Sequence, residues 1–396
     1  MPRFLSISDL RGAVRLVTTA ATGVTDLVEA MQATITQPEG ISRTRGLSGI
    51  VYRTVRRTMR RVGRSVEEAL AAVDPGTPGD APAREAVVAA LNGAVGDHLA
   101  AEGNPLAIEM HLRHAGAPLD LAALAAGATT IPDARPTILL QVHGICMYEG
   151  QWHRDGHDPG AEWAEAIGAT RLAVRYNSGR HISESGADLA RLLDALRAAW
   201  PVAVERLVIV GHSMGGLVAR SALWRLEADG RALPIDTTLV CLGSPHHGAP
   251  LERLGNLVDT ALRASRYAGP LAAVSNARSA GLTDLRYGSV HADDWTGRDR
   301  FAARGEDRRH VPLPDGVTGY LVAATLGTGG GGIRDFTIGD GLVPLDSALG
   351  LHEDPARALD VPPDHRWTLP RASHLDLLWA LEVTEQVRGW LVREDA

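Results

Sequence analysis

The chain contains no lysine: all forty of its basic residues are arginine. This absence excludes the phosphate-binding lysine of P-loop proteins, the Schiff-base lysine of pyridoxal-type enzymes and the serine–lysine dyad of some hydrolases. The glycine-rich stretch Gly327–Gly332 lacks the P-loop spacing as well, and we interpret it as a flexible loop. We predict no cofactor.

Cysteine is also scarce, with only Cys146 and Cys241 in 396 residues. If both lie on or after central strands that are not neighbours, a strand spacing of ~4.8 Å places them about 10 Å or more apart, too far for a disulfide. The N-terminus has no basic region followed by an uninterrupted apolar stretch, so we expect no signal peptide. No apolar run approaches the ~18 residues of a membrane-spanning helix. We predict a cytoplasmic protein.

The charges are unevenly divided along the chain. The net charge is −7, which argues against nucleic acid as a partner, but residues 1–73 contain eleven arginines and six acids. These residues therefore carry +5 and the remainder −12, and the arginines concentrate on a predicted amphipathic helix over residues 50–64. Two interpretations stay open: peripheral contact with anionic lipid, or packing against the protein's own acidic surface or a second subunit. The oligomeric state is left open.

The chain divides into a helical region, residues 1–103, and a second region, residues 104–396. In the first, apolar residues from Leu10 to Ile35 recur at helical spacing, and an alanine-rich helix is predicted over 85–101. In the second, β-branched runs alternate with helical segments, which predicts an α/β fold with a mostly parallel sheet covered by helices. The predicted strands are Leu106–Arg113, Thr137–His143, Arg171–Tyr176, Arg206–Val210, Thr237–Leu242 and Gly319–Thr325.

One motif predicts the chemistry. Between a buried strand and a helix stands Gly211-His212-Ser213-Met214-Gly215-Gly216. A strand, Gly-x-Ser-x-Gly and then a helix form a nucleophile elbow, in which the serine projects from a sharp turn. We predict Ser213 to be a nucleophile.

A serine hydroxyl needs a base and a group that orients the base, and in this arrangement both come later in the chain. His374, predicted to open a closing helix from His374 to Trp390, is the candidate base, with His365 in reserve. Asp340, at a turn, is the candidate acid, and Asp335 and Asp346 compete for that role.

Acyl transfer also requires N–H donors for the developing oxyanion. The first should be the amide of Met214, directly after the nucleophile. The second should be the amide of Ile145, because Gly144 lets the backbone turn after the strand that ends near His143.

These residues together resemble the α/β-hydrolase superfamily, and within it bacterial triacylglycerol lipases and inositol-deacylase-like lipases. The resemblance covers about 105–396 and implies Ser213, Asp340 and His374 as a triad, with Ile145 and Met214 as the oxyanion hole. One departure is Gly339, where an asparagine often precedes the acid. The matching segments are Val142-His143-Gly144-Ile145, Gly211–Gly216, Gly243-Ser244-Pro245-His246-His247-Gly248-Ala249, Gly339-Asp340-Gly341-Leu342-Val343-Pro344 and Ser373-His374-Leu375-Asp376.

An insertion of residues 250–318 carries an apolar stripe from Leu251 to Leu262, which fits either a mobile lid over the serine or a fixed cap. We predict no metal site. Some lipases hold calcium through an aspartate placed like Asp376, but one carboxylate is far short of the six to eight oxygens calcium requires. His153 and His157 have metal-ligand spacing without a third ligand nearby.

The sequence thus predicts a serine carboxylic-ester hydrolase, a lipase or esterase acting on acyl esters or lipids through an acyl-enzyme on Ser213. Two alternatives use the same triad: an acyltransferase, and a lipid deacylase of the glycosylphosphatidylinositol type. A third is a non-catalytic, membrane-associated scaffold.

Overall fold

A computed structural model of the chain describes residues 82–250, 278–300, 307–328 and 339–393. They fall into two compact units, and the described part of the smaller one comprises 82–88 and 98–107. The larger unit contains 89–97 and the described residues from 108 onward. The amphipathic stripe Leu10–Ile35, the arginine-rich helix 50–64, the lid stripe Leu251–Leu262 and Asp335 lie outside the described residues, and the domain boundary near residue 103 stays a prediction.

The larger unit is built on an eight-stranded sheet with the order β2-β1-β4-β3-β5-β6-β7-β8. From β4 to β8 all neighbouring strands are parallel, whereas β1 is antiparallel to both β2 and β4. The strands are β1 (His111–His114), β2 (Ala117–Leu119), β3 (Thr137–Val142), β4 (Thr170–Arg175), β5 (Arg206–His212), β6 (Asp236–Leu242), β7 (Val317–Thr325) and β8 (Arg366–Pro370). The predicted mostly parallel sheet is confirmed.

The described residues also form eight α-helices, most of which connect the strands. They are α1 (Pro82–Ala101), α2 (Leu121–Ala125), α3 (Pro159–Ala166), α4 (Ile182–Ala199), α5 (Met214–Ala228), α6 (Ala280–Tyr287), α7 (Leu345–Ala348) and α8 (Leu381–Arg393). Short 3₁₀ turns lie at Glu149–Trp152, Ala292–Asp294, Pro363–His365 and Asp376–Leu378. Helix α1 has a break at Val95, where φ is −142° and ψ is 22°.

The central strands are apolar without alternation because both faces of the sheet are covered. Leu139, Val208 and Val240 pack in one cluster with Trp163 of α3 and Val387 of α8. Successive strand residues point to opposite faces of the sheet. Leu140 and Ile209, which follow Leu139 and Val208 in their strands, are nevertheless equally buried. This burial fixes the register, in which Val142 pairs with Gly211 and Gly211 pairs with Cys241. The carboxyl ends of β3, β5 and β6 therefore meet at one edge.

Two predicted elements differ from the structure. The sheet begins only at His111, because the Ile108 amide donates to the Asn92 side chain at 3.0 Å instead of to a strand. The predicted helix from His374 begins only at Leu381. Asp376 Oδ2 accepts hydrogen bonds from the amide and the hydroxyl of Ser373, at 2.8 and 2.7 Å, and this closes a turn that keeps His374 in a loop.

Both cysteines are free and buried, as predicted. In the ranges that the structure describes, we find no helix whose length and apolar character would let it cross a bilayer.

Candidate active site

The elbow holds Ser213 in a conformation that L-residues rarely adopt. Ser213 lies between β5 and α5 with φ 55° and ψ −121°. A Cβ on Gly211 would lie 2.4 Å from the Gly216 nitrogen, and one on Gly215 would lie 2.1 Å from the Val142 carbonyl oxygen. The glycines are therefore required by close backbone approach, and the strain at Ser213 is maintained by the packing around it. The backbone of residues 211–216 therefore has the strand–turn–helix geometry that the Gly-x-Ser-x-Gly motif predicts.

His374 and Asp340 form a buried pair. His374 Nδ1 lies 2.6 Å from Asp340 Oδ2, and the His374 amide donates to the Asp340 carbonyl oxygen at 3.1 Å. A carboxylate only accepts hydrogen bonds, so Nδ1 carries the proton and Nε2 is left with a lone pair. In the described part of the chain, Nε2 is buried and has no hydrogen-bond partner, Ser213 included. Catalytic hydrogen bonds are often long before substrate binds and shorten in the complex.

The elbow and the imidazole share the same neighbours. The Ser213 amide donates to the Leu242 carbonyl at 2.8 Å, and a Cβ on the next residue, Gly243, would lie 3.0 Å from His374 Cε1. His212, directly before the serine, has its ring centroid 4.8 Å from that of His374 and its Nε2 3.2 Å from the His374 carbonyl oxygen. The structure thus brings Ser213, His374 and Asp340 to the carboxyl edge of the sheet.

The turn at Asp340 fixes the orientation of its carboxylate. Oδ1 accepts hydrogen bonds from the amides of Leu342 and Val343, at 2.9 and 2.8 Å, which leaves Oδ2 facing His374. Gly339 has φ 57°, and a Cβ there would lie 2.0 Å from the Val343 carbonyl oxygen. The turn is therefore too tight for any side chain, which explains the glycine where an asparagine was expected. Of the competing acids, Asp346 is exposed at the first turn of α7.

The loop His143–Met147, named here the oxyanion loop, borders the serine directly. A Cβ on Gly144 would lie 3.1 Å from the Ser213 Cβ. Within the described ranges, neither the Ile145 amide nor the Met214 amide donates to a protein acceptor. Two N–H groups beside a nucleophile can stabilise an oxyanion if they point at its position.

Burial keeps the neighbouring imidazoles neutral. It lowers the pKa of His143 to about 4, although the Gly144 carbonyl partly opposes the shift, and it lowers the pKa of His212 well below its usual value. His143 stacks on Tyr176 with ring centroids 4.4 Å apart, and the Tyr176 hydroxyl donates to the His143 carbonyl at 2.9 Å. Neither ring therefore carries a charge at neutral pH, and His143 acts as part of the support of the oxyanion loop.

The sequence reasoning missed further supports of this loop. The Cys146 amide donates to Ser178 Oγ at 3.1 Å, and the Cys146 thiol contacts the Ala90 carbonyl oxygen at 3.7 Å. Burial raises the pKa of the Cys146 thiol to about 12, so it remains protonated. The run Asn177-Ser178-Gly179 at the end of β4 was the available signal, because small polar residues after a parallel strand lie at the edge where sites form.

Two further histidines that the sequence singled out, His365 and His157, have structural partners. His365 Nδ1 lies 3.1 Å from the Gly319 carbonyl oxygen, and its ring lies 4.2 Å from that of Tyr320. His157 Nδ1 lies 3.0 Å from the Trp379 carbonyl oxygen, and its other nitrogen lies 3.2 Å from Glu162. The searched part of the chain holds no group of three or more metal-ligating side chains.

The segment Gly243–Ala249 follows β6 and contains two adjacent histidines. His246 is fully buried, and burial together with Arg220 lowers its pKa well below the usual value. His247 lines a cavity of about 720 Å³ together with Arg308 and His352. Neither Ser213 nor His374 lines this cavity.

The described part of the insertion is packed rather than open. Asp284 of α6 accepts a hydrogen bond from the Ile182 amide at 2.9 Å and lies 3.0 Å from His181 Nδ1. The His181 ring stacks on Trp295 with centroids 3.7 Å apart. The lid itself stays a prediction, because its apolar stripe lies outside the described residues.

Residues 190–311 match a family model described as the PGAP1-like alpha/beta domain. The match includes Ser213 and ends before Asp340 and His374. Among curated proteins, the chain is similar to the esterase PIR7B of Oryza sativa subsp. japonica, with 33% identity over 125 residues. That alignment covers 28% of this chain and 42% of the esterase, so the chain spans less than half the length of this relative.

Solved structures with a similar fold include the mature lipase BlEst2 of Bacillus licheniformis. It is 19% identical, with a TM-score of 0.40, and the alignment covers 66% of this chain and 94% of the lipase. The RedJ thioesterase of the prodiginine pathway in Streptomyces coelicolor is 15% identical, with a TM-score of 0.37, over 67% of this chain and 88% of the thioesterase. The predicted resemblance to the α/β-hydrolases is confirmed by the family match and the esterase relative, and the fold by the sheet itself.

Proposed function

We propose that this chain, with its α/β-hydrolase fold, is a serine carboxylic-ester hydrolase of the lipase or esterase type. The observation that carries the proposal is the buried Asp340–His374 pair, whose unpartnered Nε2 lies at the same sheet edge as the strained Ser213. The similarity to a protein named as an esterase supports it.

The first half of the reaction forms an acyl-enzyme. Ser213 Oγ attacks the ester carbonyl while His374 Nε2 accepts the hydroxyl proton. Asp340 holds the imidazole with Nδ1 protonated and stabilises the imidazolium. The amides of Ile145 and Met214 donate to the tetrahedral oxyanion. His374 then protonates the alkoxide, which leaves as the alcohol.

The second half returns the enzyme to its starting state. Water attacks the acyl-enzyme carbonyl and gives its proton to His374 Nε2. The tetrahedral intermediate collapses, the carboxylic acid leaves, and Ser213 Oγ regains its proton. Removing one oxyanion donor from such a site typically costs about 3 kcal/mol of transition-state stabilisation, so the two amides contribute substantially to the rate.

The test compares hydrolysis of p-nitrophenyl esters, from acetate to palmitate, by the wild type and Ser213→Ala. Loss of the nucleophile should lower kcat by about 10⁶-fold, to the residual level that the oxyanion donors and substrate binding alone support, while the protein remains folded. Ser221→Ala is a matched control, because Ser221 is a buried serine of α5 whose hydroxyl donates to the Val290 carbonyl at 2.7 Å. A Ser213→Ala variant that keeps a substantial fraction of the wild-type kcat would refute the proposal, and the ester series would identify the preferred acyl length.

A further inference from the structure

The middle of α1, residues Ala89–Asp97, lies against the oxyanion loop. The Ala90 carbonyl oxygen is 3.7 Å from the Cys146 thiol, and Cys146 directly follows Ile145. Cys146 has φ 61°, in the left-handed region that a side chain adopts at a cost. The conformation of Cys146 is therefore maintained by the residues packed around it, and Ala89–Asp97 is one of the segments that pack there.

Gly93 is the point of closest approach. A Cβ on Gly93 would lie 2.3 Å from Cys146 Sγ, 2.6 Å from the Cys146 nitrogen and 2.7 Å from its Cα. The helix backbone thus contacts the loop backbone directly. Glycine is unfavourable inside a helix, so this close approach gives a physical reason for its presence.

Several hydrogen bonds hold the segment in this position. Ser279 Oγ donates to the Gly93 carbonyl at 2.6 Å, and the Ala280 amide donates to Asp97 at 3.0 Å. Asn177 Nδ2 donates to the Gly96 carbonyl at 2.8 Å. The next residue, Ser178, accepts the amide hydrogen of Cys146, so one turn after β4 holds both the segment and the oxyanion loop.

We propose that Ala89–Asp97 is a positioning element of the active site, which holds the Ile145 amide in place by contact between Gly93 and Cys146. The inference rests on the proposed function and assigns this part of α1 a role in the reaction. None of its residues touches the reacting atoms; the segment acts through the loop that it supports.

The test is Gly93→Ala, assayed on p-nitrophenyl acetate. Ordinary contacts begin at 3.4 Å, so the added methyl requires a shift of about 1 Å in the loop or the helix. A displacement of that size costs about 100-fold in rate when it moves a catalytic group. Because the oxyanion forms only in the transition state, kcat should fall by about that factor while KM stays nearly constant.

Gly319→Ala is the matched control, because a Cβ there would lie 2.5 Å from Leu313 Cδ1 near the amino end of β7. It should lower the melting temperature only slightly, because the end of the Leu313 side chain can move, and it should leave kcat unchanged. Ser279→Ala adds no atom and removes the donor to Gly93, so it covers the case in which Gly93→Ala fails to fold. It should lower kcat roughly tenfold at unchanged KM.

The outcomes separate this inference from the function on which it rests. If the wild type is active and Gly93→Ala or Ser279→Ala keeps the wild-type kcat, the positioning role is overturned and the hydrolase proposal stands. A parallel loss of stability and kcat in Gly319→Ala would also overturn it, because any buried methyl would then have the same effect. A wild type that hydrolyses no ester would overturn both.

Discussion

Replacing Asp340 by asparagine should abolish most of the activity because it changes the tautomer of His374, while the position of the ring stays the same. The amides of Leu342 and Val343 donate to Oδ1 of Asp340 at 2.9 and 2.8 Å, and they will hold the carbonyl oxygen of the new amide in the same place. The NH₂ group then occupies the Oδ2 position, 2.6 Å from His374 Nδ1 in the native pair. Two donors cannot share that contact, so Nδ1 must become the acceptor and Nε2 must carry the proton.

An imidazole protonated at Nε2 cannot accept the proton of Ser213. In Ser–His–Asp sites the corresponding change lowers kcat about 10⁴-fold, or about 5 kcal/mol of transition-state stabilisation. We therefore expect Asp340→Asn to lower kcat for p-nitrophenyl acetate by about four orders of magnitude, with little change in KM and in the melting temperature.

Asp346→Asn is the matched control, because Asp346 is the competing acid and lies exposed at the start of α7. Its kcat should stay within about twofold of the wild type, as for surface substitutions in general. If Asp340→Asn kept more than a tenth of the wild-type kcat, or if Asp346→Asn lost most of it, the assignment of the acid would be wrong.

Other predictions follow from single contacts. The pKa of His143 is lowered to about 4 by burial, so between that value and ~6.5 the unfolded chain binds a proton that the folded chain does not, and stability should fall by up to about 3 kcal/mol as pH drops through this window. His143→Gln should reduce the dependence of the free energy of unfolding on pH, measured by urea unfolding at pH 4–8. An unchanged pH dependence would contradict the burial effect. His365→Asn should keep kcat within about twofold while losing about 1 kcal/mol of stability, because its contacts to Gly319 and Tyr320 are structural; a loss of activity as large as that of His374→Asn would make it the base. Gly215→Ala places a Cβ 2.1 Å from the Val142 carbonyl oxygen and should destabilise the fold by about 1–3 kcal/mol, and an unchanged melting temperature would rule out that close approach.

The elbow could be predicted because all of its determinants are local. The strand before Ser213, the glycines around it and the helix after it lie within about twenty residues, and each acts through backbone geometry that those residue types alone permit. Asp340 and His374 were predicted for a different reason, the chain order serine, acid, histidine in such sites, and their roles stay predictions. A parallel sheet brings the carboxyl ends of its strands to one edge, and both residues lie at that edge with Ser213.

Contacts between distant parts of the chain could not be predicted. The approach of Gly93 to Cys146 joins residues far apart in the sequence, and no periodicity in either segment indicates it. The predicted start of α8 at His374 was wrong because apolar residues at helical spacing continue through residues 374–380. The Asp376 side chain instead accepts hydrogen bonds from Ser373 and closes a turn there. Strand β8 went unpredicted, since its five residues, Arg366–Pro370, show no clear alternation.

The most direct measurement of the central claim is the site of covalent labelling by a fluorophosphonate, which reacts with serines activated by a neighbouring base. We expect a single adduct per chain, located by peptide mass spectrometry on Ser213, and no adduct in His374→Ala. An adduct on another residue, or a folded wild-type protein that does not react, would show that Ser213 is not an activated nucleophile.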